Sequence, residues 1–525
     1  MLMAARKLRP NYRSPGTFNV IASLLRSRLT TSINCCILLL LIATAAGLIY
    51  YEARYISVSI KTVAGDNLRP TPWHSFRLPA ADSWNLASRL PIILKCNYLS
   101  CLSDILSPIR RTEFHSNLTD QCPNFFQWIY EDLAPWRENL ITRESLKAAQ
   151  QHAAFRVVIV GGRLYTEFYY ACVLPRALFT LWGILQLLEK YPGMVPDVDL
   201  MFDCMDRPSV KKAHYEHRGS PPPLFRYCGN KEAYDIPFPD WSFWGWPQID
   251  LPHWTEEVQS IYNSSQTLKW EDRKPNAYWK GNPDVGSKVR EDLLKCNKTN
   301  GSDWGAEIYR QNWWAEVLDG FKHSKLSQQC KHRYKIYTEG HAWSVSYKYI
   351  FACDSPVLVA SPTYHEFFTR GLIPMVHYWP IRRDQLCPSI KFAVNWGNEH
   401  PTEAKAIGTA GQEFIWRHLT MDYVYDYMFH LLSEYAKLQK FKPVVPSTAR
   451  LLCKKAILCF TDDPKSKEFL KASETKSSSS PPCTLTPLGS KFRTDIYEKG
   501  ETATREIWRL ETMAHTSKSR SKVHN

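Results

Sequence analysis

The chain has 525 residues, 44% of them hydrophobic and 22% charged, which is too long for one core and too apolar for a disordered polymer. Its net charge of +15 suggests a nucleic-acid binder until the distribution is read: residues 1–28 and residues 447–525 carry +6 each, leaving +3 for everything between. A groove for phosphate backbones needs that charge on the folded surface, so nucleic acid is set aside as a partner.

From the N-terminus, Arg6, Lys7, Arg9, Arg13, Arg26 and Arg28 precede an uncharged stretch, Leu29 to Tyr51. As a helix it would span about 34 Å, enough to cross a hydrocarbon core. The positive-inside rule then keeps 1–28 in the cytosol as a tail. The small residues Ala43, Thr44 and Ala45 allow a cleaved signal peptide, but the apolar run exceeds the usual h-region, so an uncleaved signal anchor over 29–51 is expected. Sequons at Asn117, Asn263, Asn297 and Asn300 and thirteen of the 15 cysteines follow it, as suits a glycosylated, oxidising lumenal body. The last residues, Ser521 to Asn525, do not form a KDEL-type signal, so a single-pass type II protein of the Golgi membrane is expected, with the endoplasmic reticulum as second choice.

Residues 52–110 carry prolines without a sustained period and read as a stem, in which Cys96 and Cys101 allow a small loop. Residues 111–445 read as globular. Short buried strands are expected at 156–160, 198–202, 277–280, 334–337, 357–359 and 375–378. Helices are expected over Pro175–Tyr191, near 288–295, near 345–352 and from Glu403 to Gln439. This alternation predicts an α/β fold with parallel sheets covered on both faces, in two lobes of about 111–250 and 251–445 with a cleft between them. Residues 446–525, with Ser477–Ser480 and two prolines, read as a disordered basic tail.

Several segments can carry chemistry. Gly340, His341, Ala342, Trp343 and Ser344 lie between a strand and a helix, with Ser344 placed as N-cap and Lys348 one turn on. That is either an ordinary capped helix or a phosphate-binding loop. Arg290 is either a solvated helix residue or a grip on a diphosphate. Asp197, Asp199, Asp203 and Asp206 crowd one strand and its exit, where a carboxylate can face a ligand crevice. Asp197-Val198-Asp199 also spells D-x-D, but the motif is common by chance and no C-x-x-C pair repeats with zinc-like spacing, so no metal is expected. The 19 Trp, 27 Tyr and 23 Phe fit either a large aromatic core or a sugar-facing cleft.

Four blocks, in consistent order over about residues 111–445, carry a resemblance. They are Cys122-Pro123 with Ile129 to Trp136; Pro196 to Asp199 with Met205-Asp206-Arg207-Pro208; Pro239 to Gly245; and the run from Tyr334 to Pro380. Together they resemble the Rumi-like protein O-glucosyltransferases of glycosyltransferase family 90, related to fungal capsule-associated proteins, and within them the plant branch. The resemblance implies a GT-B fold of two Rossmann-like lobes and inverting transfer of glucose or xylose from UDP-glucose or UDP-xylose to a hydroxyl of a lumenal glycan or protein; with Arg290, Lys348 and the helix amides after Ser344 able to stabilise the leaving UDP, no metal cofactor is expected. It implies Asp206 as catalytic base and Arg290, Gly340, His341, Ala342, Trp343, Ser344, Val345 and Ser346 as donor-binding residues, to which Lys348, one turn on, is expected to add charge. Ser346 stands where animal members carry arginine. Trp241, Ser242, Phe243 and Trp244 match an acceptor groove, and Cys330 and Cys353 a family disulfide. The animal members' second cysteine near Cys172 is missing here. The competing reading is a catalytically silent, membrane-tethered carbohydrate-binding protein using the same aromatic cleft.

Overall fold

The computed structural model describes residues 101, 107–109, 111, 120–172, 175–215, 219–285, 287–297, 302–489, 492 and 498–523. The expected cytosolic tail and anchor, most of the stem, Cys96 and the sequons at Asn117 and Asn300 lie outside the described residues. No helix among the described residues is long and apolar enough to cross a membrane.

Strand-forming runs rich in β-branched and aromatic residues build two sheets. The first joins β1 (Phe155–Val160), β2 (Arg163–Phe168), β3 (Val198–Phe202), β4 (Leu224–Arg226), β6 (Ile236–Pro237) and β13 (Arg450–Leu452) in the order β13-β2-β1-β3-β4-β6. The second joins β7 (Lys274–Gly281), β8 (Ala306–Arg310), β9 (His332–Tyr337), β10 (Val357–Ala360) and β12 (Trp379–Ile381) in the order β12-β10-β9-β7-β8. A short antiparallel pair, β5 (Gly229–Asn230) with β11 (Tyr364–His365), ties the segment between β4 and β6 of the first sheet to the segment between β10 and β12 of the second.

The second sheet is parallel throughout, as the alternation predicts. The first is mixed and corrects that expectation: β1 pairs antiparallel with both β2 and β3, and only β3, β4 and β6 run parallel. The cause is local. Gly161 and Gly162 both take positive φ, 56° and 72°, a conformation glycine adopts freely, and they turn β1 back on itself as a two-residue hairpin.

Helix α1 (Arg176–Lys190) fills the expected span, with apolar residues buried along nearly its whole length. Gly183 is needed at its contact with Trp244, because a Cβ there would fall 2.2 Å from the indole. The second sheet is served by α2 (Lys288–Leu294) and α3 (Ser346–Phe351), and α4 (Leu386–Glu399), α5 (Pro401–His418) and α6 (Met421–Leu438) close the globular part. The strand expected at 375–378 is displaced. Met375 sits at φ 63° in a turn closed by its own N–H on the Tyr378 carbonyl, 2.7 Å, and the strand begins at Trp379.

The segment read as a disordered tail is folded over 446–489. It supplies β13, then α7 (Lys454–Phe460) and α8 (Pro464–Ala472), and beyond it α9 (Lys499–Val523). Disulfides Cys101–Cys453 and Cys122–Cys483 fasten it to the start of the body, so Cys101 closes a long-range link in place of the small stem loop. Even the serine run is engaged: the Ser478 N–H donates to the Lys190 carbonyl, 2.9 Å. Cys172 pairs with Cys204, and Cys296–Cys387 and Cys330–Cys353 complete the described bridges.

Aromatic abundance resolves mainly into core. Trp136, Trp182, Trp241, Trp244 and Trp254 are all fully buried.

Candidate active site

The second sheet reverses its winding at the β7/β9 boundary, with β8 beyond β7 on one side and β10 and β12 beyond β9 on the other. In open parallel sheets the crevice outside the carboxyl ends at such a point is where ligands bind. Gly281 ends β7 and Tyr337 ends β9. Between these ends lies Arg290 of α2.

Arg290 is 9% exposed and is held by neutral oxygens alone. Its Nε donates to the Glu339 carbonyl (2.8 Å), Nη1 to the Asn282 carbonyl (2.9 Å), and Nη2 to Ser344 Oγ (3.1 Å) and the Thr338 carbonyl (3.5 Å). The guanidinium also lies 5.7 Å from the Trp279 ring. No carboxylate pairs with it among the described residues, and burial pulls its pKa down to about 10, still charged at neutral pH. Gly340 makes the approach possible, since a Cβ there would lie 3.3 Å from Arg290 Nη2.

The loop after β9 therefore wraps this cation. Ser344 does not act as N-cap: α3 begins at Ser346 after Val345, without a side-chain cap. Its hydroxyl serves Arg290 and Ser346 Oγ (2.9 Å) instead. Ala342 and Trp343 are buried, and Trp343 packs against Tyr227 and Trp241 of the first half at 5.7 and 6.1 Å between ring centroids. His341 Nδ1 lies 3.4 Å from the Val285 carbonyl. Cys330–Cys353 bridges the segment before β9 to the turn after α3 and so frames the loop. Glu339 is buried, its pKa raised by burial, and braces the next turn: Oε1 accepts from the Tyr364 N–H (2.6 Å), and Oε2 from Arg383 Nη2 (2.7 Å).

Asp206 lies on the turn that leaves β3 at its carboxyl end. Arg176, the first residue of α1, donates from Nη1 to Asp206 Oδ1 at 2.7 Å and to the Cys204 carbonyl at 2.9 Å, while its guanidinium stacks 4.4 Å from the Trp241 ring. Asp206 Oδ2 has no hydrogen-bond partner among the described residues. Below the turn, buried Arg226 joins Asp203 and Asp235 and donates from Nη1 to the Met205 carbonyl, 3.0 Å. The Cys228 thiol, raised well above its ordinary pKa by burial, donates to the Asp206 carbonyl. Arg207 Nε donates to the His341 carbonyl at 3.1 Å, which sets the Asp206 turn against the Arg290 loop.

Some expected site residues point elsewhere. Lys348 is fully buried and donates to Ser242 Oγ (2.8 Å) and Asp240 Oδ2 (3.2 Å), with Glu366 nearby. Its charge is spent inside the core rather than on the loop. Trp241, Ser242, Phe243 and Trp244 are each at most 1% exposed, so they form wall and core behind Arg176, not an open acceptor groove. The D-x-D carboxylates are separately committed: Asp199 takes a bidentate Arg156 at 2.8 and 2.6 Å, and Asp197 accepts the Gly161 N–H at 2.7 Å. The nearest approach to a metal cluster among the described residues, Cys122, Cys483 and His430, is a disulfide with a histidine beside it. Arg176 was invisible as a site residue in the sequence, where it reads only as the start of a helix.

Residues 117–511 match the sequence model of glycosyl transferase family 90. The chain is 28% identical over 321 residues to the O-glucosyltransferase rumi homolog of Anopheles gambiae, covering 59% of this chain and 77% of that protein. It is 26% identical over 331 residues to protein O-glucosyltransferase 1 of Homo sapiens, covering 61% and 81%, and 26% identical over 322 residues to O-glucosyltransferase rumi of Drosophila melanogaster, covering 59% and 76%. The chain belongs to glycosyl transferase family 90. The match runs on to residue 511, so it takes in β13, α7 and α8 as part of the family's domain.

Proposed function

We propose that the chain is an inverting glycosyltransferase moving glucose or xylose from a UDP-sugar to a hydroxyl of a lumenal glycan or protein acceptor. The observation that carries this is Arg290, a buried guanidinium with no carboxylate partner, at the switch point of a parallel sheet and set against the turn that bears Asp206. The two sheets are read as the two lobes of a GT-B enzyme, and the plant-branch placement rests on the motif resemblance.

The acceptor oxygen forms a bond to the anomeric carbon as the bond from that carbon to the diphosphate breaks. Asp206 takes the acceptor's proton on Oδ2 while Arg176 holds Oδ1 still, and a positioned base of this kind contributes about 10²–10⁴-fold. The departing UDP gains negative charge at Arg290, a pre-set cation in a partly desolvated site. Cationic side chains suffice for that role, so no metal cofactor is proposed, and EDTA should leave most of the activity intact.

The anchor over 29–51 would hold this domain as a type II protein of the Golgi membrane. Of the two described sequons, Asn263 is exposed at the end of the helix Trp254–Ser265, whereas Asn297 uses its amide on the Ile308 backbone, at 3.1 and 3.4 Å. Asn263 is therefore the preferred glycosylation site of the pair. A screen of UDP-sugars with the purified chain, with mass analysis of the product, tests the reading. UDP-glucose or UDP-xylose should be consumed with inversion; failure of every UDP-sugar to bind or react would remove it.

A further inference from the structure

Resting on the reading of the crevice as a UDP-sugar site, we infer that Arg207 is the residue that hydrogen-bonds the donor's diphosphate, while Arg290 chiefly supplies charge and shapes the loop. The two guanidinium groups divide their hydrogens very differently. Arg290 has five N–H bonds, and four are directed at Asn282, Thr338, Glu339 and Ser344. A buried guanidinium so fully occupied retains its charge but has one hydrogen left for a ligand. Arg207 is exposed and uses a single N–H, from Nε to the His341 carbonyl at 3.1 Å. Its two Nη groups have no partner among the described residues and form the forked face that matches phosphate oxygens.

Both cations grip one loop, through carbonyls only two residues apart, Glu339 and His341. Neither pairs with a carboxylate among the described residues; the nearby Glu339 carboxylate is taken by Arg383 and the Thr363 and Tyr364 N–H groups. Two like charges converging on one short segment repel, and an anion bound between them relieves the repulsion. Arg207 comes from the exit of β3 and Arg290 from the helix after β7, so an anion held by both would also tie the two halves of the molecule together.

Direct titration of UDP and of uridine into the full chain tests the assignment, with Arg207→Gln, Arg207→Lys and, as a control for lost surface charge, Arg417→Gln. Arg207→Gln should weaken UDP at least about tenfold, as expected for a hydrogen bond to a charged group, and leave uridine within twofold. Arg207→Lys should recover part of the loss, and Arg417→Gln should bind both ligands as the wild type does. If the wild type binds UDP and Arg207→Gln binds it within twofold, the assignment is wrong. If Arg207→Gln loses UDP and uridine by the same factor, Arg207 only shapes the loop, and the assignment is again wrong. A wild type that binds neither UDP nor any UDP-sugar would instead remove the reading on which this inference rests.

Discussion

Arg290 and Lys348 are both buried cations beside the segment that follows β9, yet they are met in different ways. Lys348 has Asp240 at 3.2 Å and is surrounded by the Phe243 and Tyr349 rings. Arg290 has only carbonyls, a hydroxyl and an indole. A buried charge can be met by a counter-charge, lose its ionisation, or await a ligand. Lys348 takes the first course. Lys335, another buried amine, is pushed toward the second, its pKa driven well below the ordinary lysine value by burial with Arg273 adding to the effect. A guanidinium does not give up its proton at neutral pH, so Arg290 is left with the third. The contrast separates a structural ion pair from a cation left free to meet an anion, although both residues were assigned to the donor site.

The largest expected effect is on chemistry and does not touch either cation. Asp206→Asn keeps the turn and can still accept from Arg176, but it cannot take a proton, so transfer should fall about 10²-fold or more while UDP affinity stays the same. Steady-state rates beside a UDP titration check it; a folded variant retaining a tenth of wild-type transfer would remove Asp206 as the base.

Next comes the structural cation. Lys348→Met should cost about 3–5 kcal/mol by stranding Asp240, and adding Asp240→Asn should restore much of it, because a buried pair replaced whole is far less costly than a pair broken. Chemical denaturation of both variants measures the difference. Equal losses would show that Lys348 is not balanced by Asp240. Opening Cys330–Cys353 with paired serines should cost about 3 kcal/mol and also weaken UDP, since the bridge frames the Arg290 loop. Unchanged UDP affinity in that variant would detach the bridge from the site.

The last effect, spread over a range of pH, sharpens the second course, in which a buried group gives up its charge. Burial, with Glu256 and Asp250 adding to it and Lys325 opposing, pushes the Glu257 carboxyl up to about 7. Its folded-state pKa lies above the ordinary value near 4.5, so its favourable contribution is present below that value and lost as pH rises through 7. The loss is on the order of 3 kcal/mol. Glu257→Gln should flatten stability between pH 4.5 and 7, as followed by denaturation at several pH values; an unaltered slope would exclude Glu257 as its source.

Much of the fold was legible because periodicity reports local burial. The strand at 198–202 and the helix 176–190 stand where their apolar patterns put them. The misreadings have physical causes. Met375 to Tyr378 has the composition of a strand, but Met375 takes a left-handed φ that no pattern discloses. The tail looked disordered because its partners are remote, Cys101 and Cys122 lying 352 and 361 residues before Cys453 and Cys483, and connectivity over such spans cannot be read from spacing. At the site, Arg290 and its loop were marked by their order after strands. Lys348 was misplaced because helical position gives distance along the axis but not which neighbour, loop or Asp240, the side chain meets. Trp241 to Trp244 were assigned to a groove by motif resemblance, which does not distinguish a ring lining a groove from a ring in the core. Arg176 reaches Asp206 across 30 residues of chain, and no motif joins them.

The contrast between the two cations is tested most directly by the stabilisation that UDP confers on three proteins: the wild type, Arg290→Gln, and the double variant Asp240→Asn with Lys348→Met. At a hundred times its dissociation constant, UDP should stabilise the wild type by about 2.7 kcal/mol, read as a rise in Tm. The double variant, neutral in its core pair, should keep that rise, and Arg290→Gln should lose most of it at the same UDP concentration. A full rise in Arg290→Gln, or its loss in the double variant alone, would contradict the assignment of the unpaired guanidinium as the anion site.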